Sequence, residues 1–246
     1  MYEVIILFII VGFIAQIIDG ALGMAYGVSS TTFLLSMGIP PAMASAGVHT
    51  AEIFISGISG LSHLKLGNVD KKLFIKLLIP GVIGGAVGAY ILTTIPAKMI
   101  KPFVAFYLLI MGIMILRKAL KKTEKKNVKT ILFPLGLLGG FFDAIGGGGW
   151  GPIVTSTLVA RGSNPRFAIG SVNLAEFFVS ITEVATFLTT IGLVQWQIIL
   201  GLVIGGVLAA PLAAYVCKRL PSKTLMIIVG ILIIVLSIRT IHQALL

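Results

Sequence analysis

The chain has 246 residues, of which 57% are hydrophobic and 11% charged, and its mean hydropathy is +1.09. A soluble domain carries about 25% charged residues, so this composition excludes a water-soluble globule and points to a membrane protein of several spans. The net charge of +11 then reads as an excess of Lys and Arg in cytoplasmic segments, not as a nucleic-acid surface. Cys217 is the single cysteine, which excludes an intramolecular disulfide and a cysteine metal cluster.

In chain order, the opening "MYEVIILFIIVGFIAQ" lacks the basic n-region of a secretory signal, so it is expected to remain in the mature protein. Its apolar run reaches Asp19. A second short run covers about 25–37, and longer spans follow at about 42–63, 73–93 and 101–117. After the charged stretch "RKALKKTEKKNVK", short runs at about 131–142 and 150–160 precede spans at about 166–189, 197–217 and 224–242. The long runs reach the roughly 20 residues that a helix needs to cross the hydrocarbon, and the short ones do not. They exceed a barrel strand of about 9–11 residues and lack its alternation, so helices are expected throughout.

The two halves repeat. A shift of 124 residues aligns Asp19 with Asp143, Gly23 with Gly147, Gly27 with Gly151, Thr31 with Thr155 and Pro41 with Pro165. It also aligns "AEIF" at Ala51 with "AEFF" at Ala175. Chance apolar similarity does not match Asp, Glu and Pro in this way. Residues 1–117 therefore read as one repeat, 118–130 as a basic cytoplasmic linker and 131–246 as a second repeat. If each short pair is a re-entrant or broken hairpin, each half crosses three times and the second half is inverted. All basic residues but Lys98, Lys101 and Arg239, sixteen of nineteen, then lie on the cytoplasmic side. The N-terminus is expected outside. The fold class is an all-α polytopic protein of two inverted repeats.

"DAIGGGGWGP", 143–152, and "DGALGMAYG", 19–27, interrupt apolar sequence with an aspartate and glycines. Irregular backbone at membrane depth is tolerated where it is buried or lines a watery cavity. Two interrupted hairpins meeting near the midplane form the usual substrate site of a secondary transporter. Glycine permits positive φ and close ligand approach, and close helix packing is the alternative use of such a loop. The half-helices starting near Gly27 and Gly151 offer free N–H groups and a positive dipole end to an anion. The substrate site is expected among Gly147, Gly148, Gly149, Trp150, Thr155, Ser156 and Asn173 of the second half, and Tyr26, Ser30, Thr31 and His49 of the first. Tyr26 and Trp150, at matched positions, serve either as cavity walls or as packing for the tips.

Five of the eight acids, Asp19, Asp143, Glu52, Glu176 and Glu183, sit in apolar surroundings, where a carboxylate is by default a functional candidate. "HTAE" and "NLAE" put His49 with Glu52, and Asn173 with Glu176, on one helix face. Glu52 and Glu176 either act at the site, as coupling groups, or brace the hairpins. Asp19 and Asp143 are expected to cap or brace. No second His or Cys lies at ligand spacing from His49, so no metal site and no cofactor are expected. The Gly- and Ala-rich stretches "PGVIGGAVGAY" and "GGVLAAPLAAY" read as close helix–helix packing.

The Asp–Gly-rich–hydroxyl hairpin in both halves, "GSVNLAEFF" and the basic linker resemble the TauE/SafE, or sulfite-exporter, family of membrane transporters. The likeness covers nearly the whole chain, and the second half carries it best. It implies a multi-pass inner-membrane protein that exports sulfite or a related sulfur-containing anion, including organosulfonates. The bilayer and the anion are its partners, and a homo-oligomer is compatible with it. The alternative is a cation or metal-ion transporter using the intramembrane carboxylates. An enzyme is disfavoured because no nucleophile–base constellation occurs, and an ATP-driven pump because no GxxxxGK[ST] motif occurs.

Overall fold

The computed structural model describes residues 2–22, 24–120, 131–192, 196–219 and 222–245. They form α1 (Tyr2–Leu22), α2 (Tyr26–Ser36), α3 (Pro41–Lys65), α4 (Lys71–Thr94), α5 (Ala97–Leu120) and α6 (Leu132–Gly146). A π-helical turn (Trp150–Thr155), α7 (Ser156–Ala160), α8 (Pro165–Ile191), α9 (Trp196–Arg219) and α10 (Ser222–Leu245) follow. No strand occurs among the described residues. Pro41 and Pro165 begin α3 and α8, where a missing N–H costs nothing. Asp70 caps α4 by accepting from the amides of Lys72 and Leu73.

Among the described residues four helices, Lys71–Thr94, Ala97–Leu120, Pro165–Ile191 and Met226–Leu245, are long and apolar enough to cross a membrane. Ile75, Ile79, Ile83 and Val87 form an exposed stripe at four-residue spacing on α4, a face suited to lipid. α3 has the length of a span, 25 residues, but is not among the four. Ser45, His49, Glu52 and Ser56 make one buried polar stripe along it, which lowers its hydropathy and faces the protein interior.

Two elements differ from expectation. α1 does not stop at Asp19 but continues to Leu22, 21 residues in all and about 31 Å at 1.5 Å per residue; it is not a short run. Asp19 stays inside the last turn because its carboxylate is used by the chain beyond it. α6, with 15 residues, spans only about 22 Å. α5 carries on to Leu120, so the first three residues assigned to the linker are helical, and 121–130 lie outside the described residues.

Packing between the halves is reciprocal. α1 lies against α9 and α6 against α4, so the first helix of each half packs on the fourth of the other. α3 pairs with α8 and α5 with α10. Glycines allow the close crossings: a Cβ on Gly84 would overlap the Leu137 carbonyl, and one on Gly205 would overlap that of Ile9. Small residues bring helices together where lipid offers no hydrophobic drive.

Candidate functional site

The polar interior is built from the two interruptions. Asp19 Oδ1 accepts from the Tyr26 amide at 3.2 Å, seven residues on. Asp143 Oδ1 accepts from the Gly149 amide and, at 3.3 Å, from the Trp150 amide. Each aspartate satisfies backbone donors freed by its own break, which buried backbone requires. Gly147 takes φ +66° as it leaves α6, and Ala25 takes φ +98° in the other break. Tyr107 donates to the Gly148 carbonyl at 2.9 Å, and Ser45 to that of Ala144 at 2.5 Å.

The two breaks touch. A Cβ on Gly27 would overlap the Gly147 carbonyl, one on Gly147 the Thr31 hydroxyl, and one on Gly148 the Val28 amide. Gly27 and Gly148 thus admit the backbone of the other break and Gly147 admits the Thr31 side chain; the close approach expected of a ligand is made there by the protein itself. Beside this junction lies a cavity of about 60 Å³ lined from both halves by Asp19, Met24–Val28, Glu52, Ile55, Ser56, Ser59, Gly148, Gly149, Gly151, Pro152, Asn173 and Glu176. At roughly 10–15 Å³ per water, it has room for a few waters or one small ion. Tyr26, Gly27 and Val28 of α2 and Gly151 and Pro152 of the π-helical turn border it. The Tyr26 and Trp150 amides are taken by Asp19 and Asp143 and proline has no N–H, so the first-turn amides of Gly27, Val28 and Gly151 are the ones there without an intrahelical acceptor.

Of the residues singled out from sequence, Asp19, Tyr26, Glu52, Gly148, Gly149, Asn173 and Glu176 line the cavity. Tyr26 also donates to the Leu202 carbonyl at 3.4 Å, and Asn173 to Ser59 at 2.8 Å, tying α8 to α3. Trp150 does not line it. Its ring is fully buried against Gly81 of α4. Thr155 and Ser30 are buried away from the cavity lining, and Thr31 sits under Gly147. Ser156 lies on another side, accepting from Lys118 Nζ at 3.0 Å. His49 sits behind Glu52, with Nδ1 2.9 Å from Glu52 Oε2 and Nε2 3.1 Å from the Asp143 carbonyl.

Sequence reasoning missed Met24, Ser56, Ser59, Tyr107 and Lys118. Ser56 and Ser59 could have been found, since both continue the polar face of α3 at helical spacing from Glu52. Tyr107 has no counterpart in the repeat and gave no signal. Side-chain oxygens of Glu52, Asp143 and Glu176 gather within 4.8 Å of one another, as do donor atoms of His49, Asp143 and Glu183. Single-helix spacing around His49 did not reveal this, because the partners come from α6 and α8.

A family model described as "Sulfite exporter TauE/SafE" matches residues 8–240. The chain belongs to the TauE/SafE family. "Probable membrane transporter protein YtnM" of Bacillus subtilis is 42% identical to it over 96% of this chain and 82% of its own length. "Probable membrane transporter protein YunE" of the same species is 22% identical over 97% of each chain. A "Probable membrane transporter protein" of Haemophilus influenzae is 29% identical over 83% of this chain and 81% of its own. No solved structure matches the chain. This TauE/SafE protein is therefore a multi-pass membrane protein of transporter type, and its cavity carries two opposed electrostatic features. Helix starts favour an anion, while Asp19, Glu52 and Glu176 on the same walls oppose one unless positive charge is bound nearby.

Proposed function

We propose that the protein is a secondary transporter that exports sulfite or a related sulfur-containing anion, organosulfonates included. It works by alternating access at the cavity between its two breaks. One observation carries the reading: the starts of α2 and of the π-helical turn, one from each half, border a single cavity. Backbone amides bind an oxyanion through hydrogen bonds, and the helix dipoles add favourable potential. In this reading residues 1–117 and 131–246 are inverted repeats in the inner (plasma) membrane. The 118–130 linker is cytoplasmic and the N-terminus outside, as the distribution of basic residues supports.

A second reading has its own observation. The clustered oxygens of Glu52, Asp143 and Glu176 suit a cation, so cation transport is the alternative cargo. A panel of ligands separates the two. Sulfite or an organosulfonate should raise the melting temperature of the detergent-purified protein, by about 2.7 kcal/mol of stabilisation at 100 times Kd. No rise with any sulfur oxyanion overturns the anion reading, and a metal-chloride rise that is lost in Glu176→Gln then puts the cation reading in its place.

A further inference from the structure

His49, Asp143 and Glu183 are each fully buried, come from three different helices, and are not explained by the anion cavity, which none of them lines. The Asp143 carbonyl can only accept, so the His49 Nε2 at 3.1 Å from it carries the ring hydrogen. The neutral ring then presents a bare lone pair at Nδ1. Nδ1 faces two carboxylate oxygens, Glu52 Oε2 at 2.9 Å and Glu183 Oε2 at 3.0 Å. Lone pair against lone pair is repulsive unless a proton or a metal ion lies among them. Both Glu183 oxygens and Asp143 Oδ2 also accept no hydrogen bond, and unpaired buried acceptors are costly. One proton on Nδ1 would serve a single acceptor and leave the rest.

We propose that His49 Nδ1, Asp143 Oδ2 and the Glu183 carboxylate form a binding site for one divalent cation, with Glu52 at its edge. The donor atoms of the three residues lie within 4.8 Å of one another, and a movement of roughly a few tenths of an ångström brings them inside the span of about 4.0–4.4 Å that two bonds of about 2.0–2.2 Å reach. Two carboxylates and a neutral imidazole carry two negative charges, which a divalent ion cancels in a dry interior; a monovalent one leaves a net charge. A mixed nitrogen and oxygen set favours zinc or manganese over calcium or sodium. The contact from Nε2 to a backbone carbonyl is the usual outer partner of a metal-bound histidine, fixing its tautomer and orientation. Room has been left for the third ligand. A Cβ on Gly85 of α4 would stand 2.7 Å from Glu183 Oε1, so glycine there admits the carboxylate. Phe187 lies flat beside the imidazole, ring centres 6.4 Å apart, and gives the site an apolar wall. The site stands apart from the anion reading, although an ion held here would offset the acidic walls of the adjoining cavity.

The test uses purified, chelator-treated protein, titrated calorimetrically with zinc chloride and with manganese chloride in the absence of any sulfur oxyanion. The expected result is one ion per chain and a raised melting temperature. Glu183→Gln should weaken binding at least tenfold and abolish the thermal shift. Gly85→Ala should also weaken it, because it displaces the ligand without removing it, and Asp70→Asn should not. Size-exclusion profiles establish that the variants are folded. Failure of the parent protein to bind either ion at one per chain overturns the proposal. So does undiminished binding by folded Glu183→Gln. Neither result touches the anion reading, whose ligands are tested separately.

Discussion

Gly148→Ala is the smallest change that probes the junction of the two breaks. The added Cβ would stand 2.9 Å from the Gly27 carbonyl carbon and 3.0 Å from its Cα, and closer still to the Val28 amide. Carbon–carbon contacts settle at about 3.5–4.0 Å, so the two backbones must part by roughly 0.5–1 Å. No flexible side chain is there to yield, since all three neighbours are main chain. Overpacking of this kind costs about 1–3 kcal/mol. For a chain near this size each kcal/mol lowers Tm by about 2–4 °C, which gives a fall of about 2–12 °C. Gly27 and Val28 lie in the first turn of α2 and line the cavity, so the displacement moves amides proposed to hold the anion. Sulfite flux in proteoliposomes should therefore fall further than folded yield, and Gly148→Val should be worse. Gly206→Ala is the control, because its Cβ would meet only side chains, the nearest being the end of Ile55. If Gly148→Ala melts and transports like the parent, the breaks do not depend on close contact.

Further outcomes follow from the same geometry. Ala25 holds φ +98°, which costs an L-residue about 1–2 kcal/mol; after glycine's entropy cost of about 0.5–1 kcal/mol, Ala25→Gly should leave Tm unchanged or raise it by up to about 6 °C, and a lower Tm would contradict the strain. Asp143→Ala should destabilise by about 1–3 kcal/mol, because the Gly149 and Trp150 amides lose their acceptor, whereas Asp143→Asn keeps an acceptor oxygen and should cost less in a chemical-denaturation series. Glu52→Gln and Glu176→Gln each remove a negative charge from the cavity wall, so sulfite should bind more tightly, on the order of tenfold per 1.4 kcal/mol of repulsion relieved, while weaker binding contradicts the anion site. In a Cys217→Ser background, an outside thiol reagent should label Gly192→Cys and not Thr123→Cys; the reverse would overturn the inverted topology.

Element positions were legible because membrane helices need apolar runs of fixed length, and the chain punctuates its runs with charge, Gly and Pro. Asp19 and Asp143 were legible as braces from their place beside Gly-rich interruptions. Which residues line the cavity was less so. Trp150 and Tyr26 occupy matched positions, yet Trp150 fills the space over Gly81 while Tyr26 reaches the cavity. The repeat gives equivalence in the chain, and packing against non-equivalent neighbours decides exposure. Glu183 was visible as an intramembrane acid, but its meeting with His49 depends on how α8 crosses α3, and helix crossing leaves no local pattern. Lys118 looked like linker because it is basic; the helix continues past it and its ammonium turns to Ser156.

Equilibrium binding of radiolabelled sulfite to the purified protein decides whether the cavity holds an anion. An anion site between the two breaks requires one saturable site per chain, displaced by an organosulfonate and lost in Gly148→Val. Binding that is absent from the parent protein, or unchanged in folded Gly148→Val, contradicts an anion site between the two breaks.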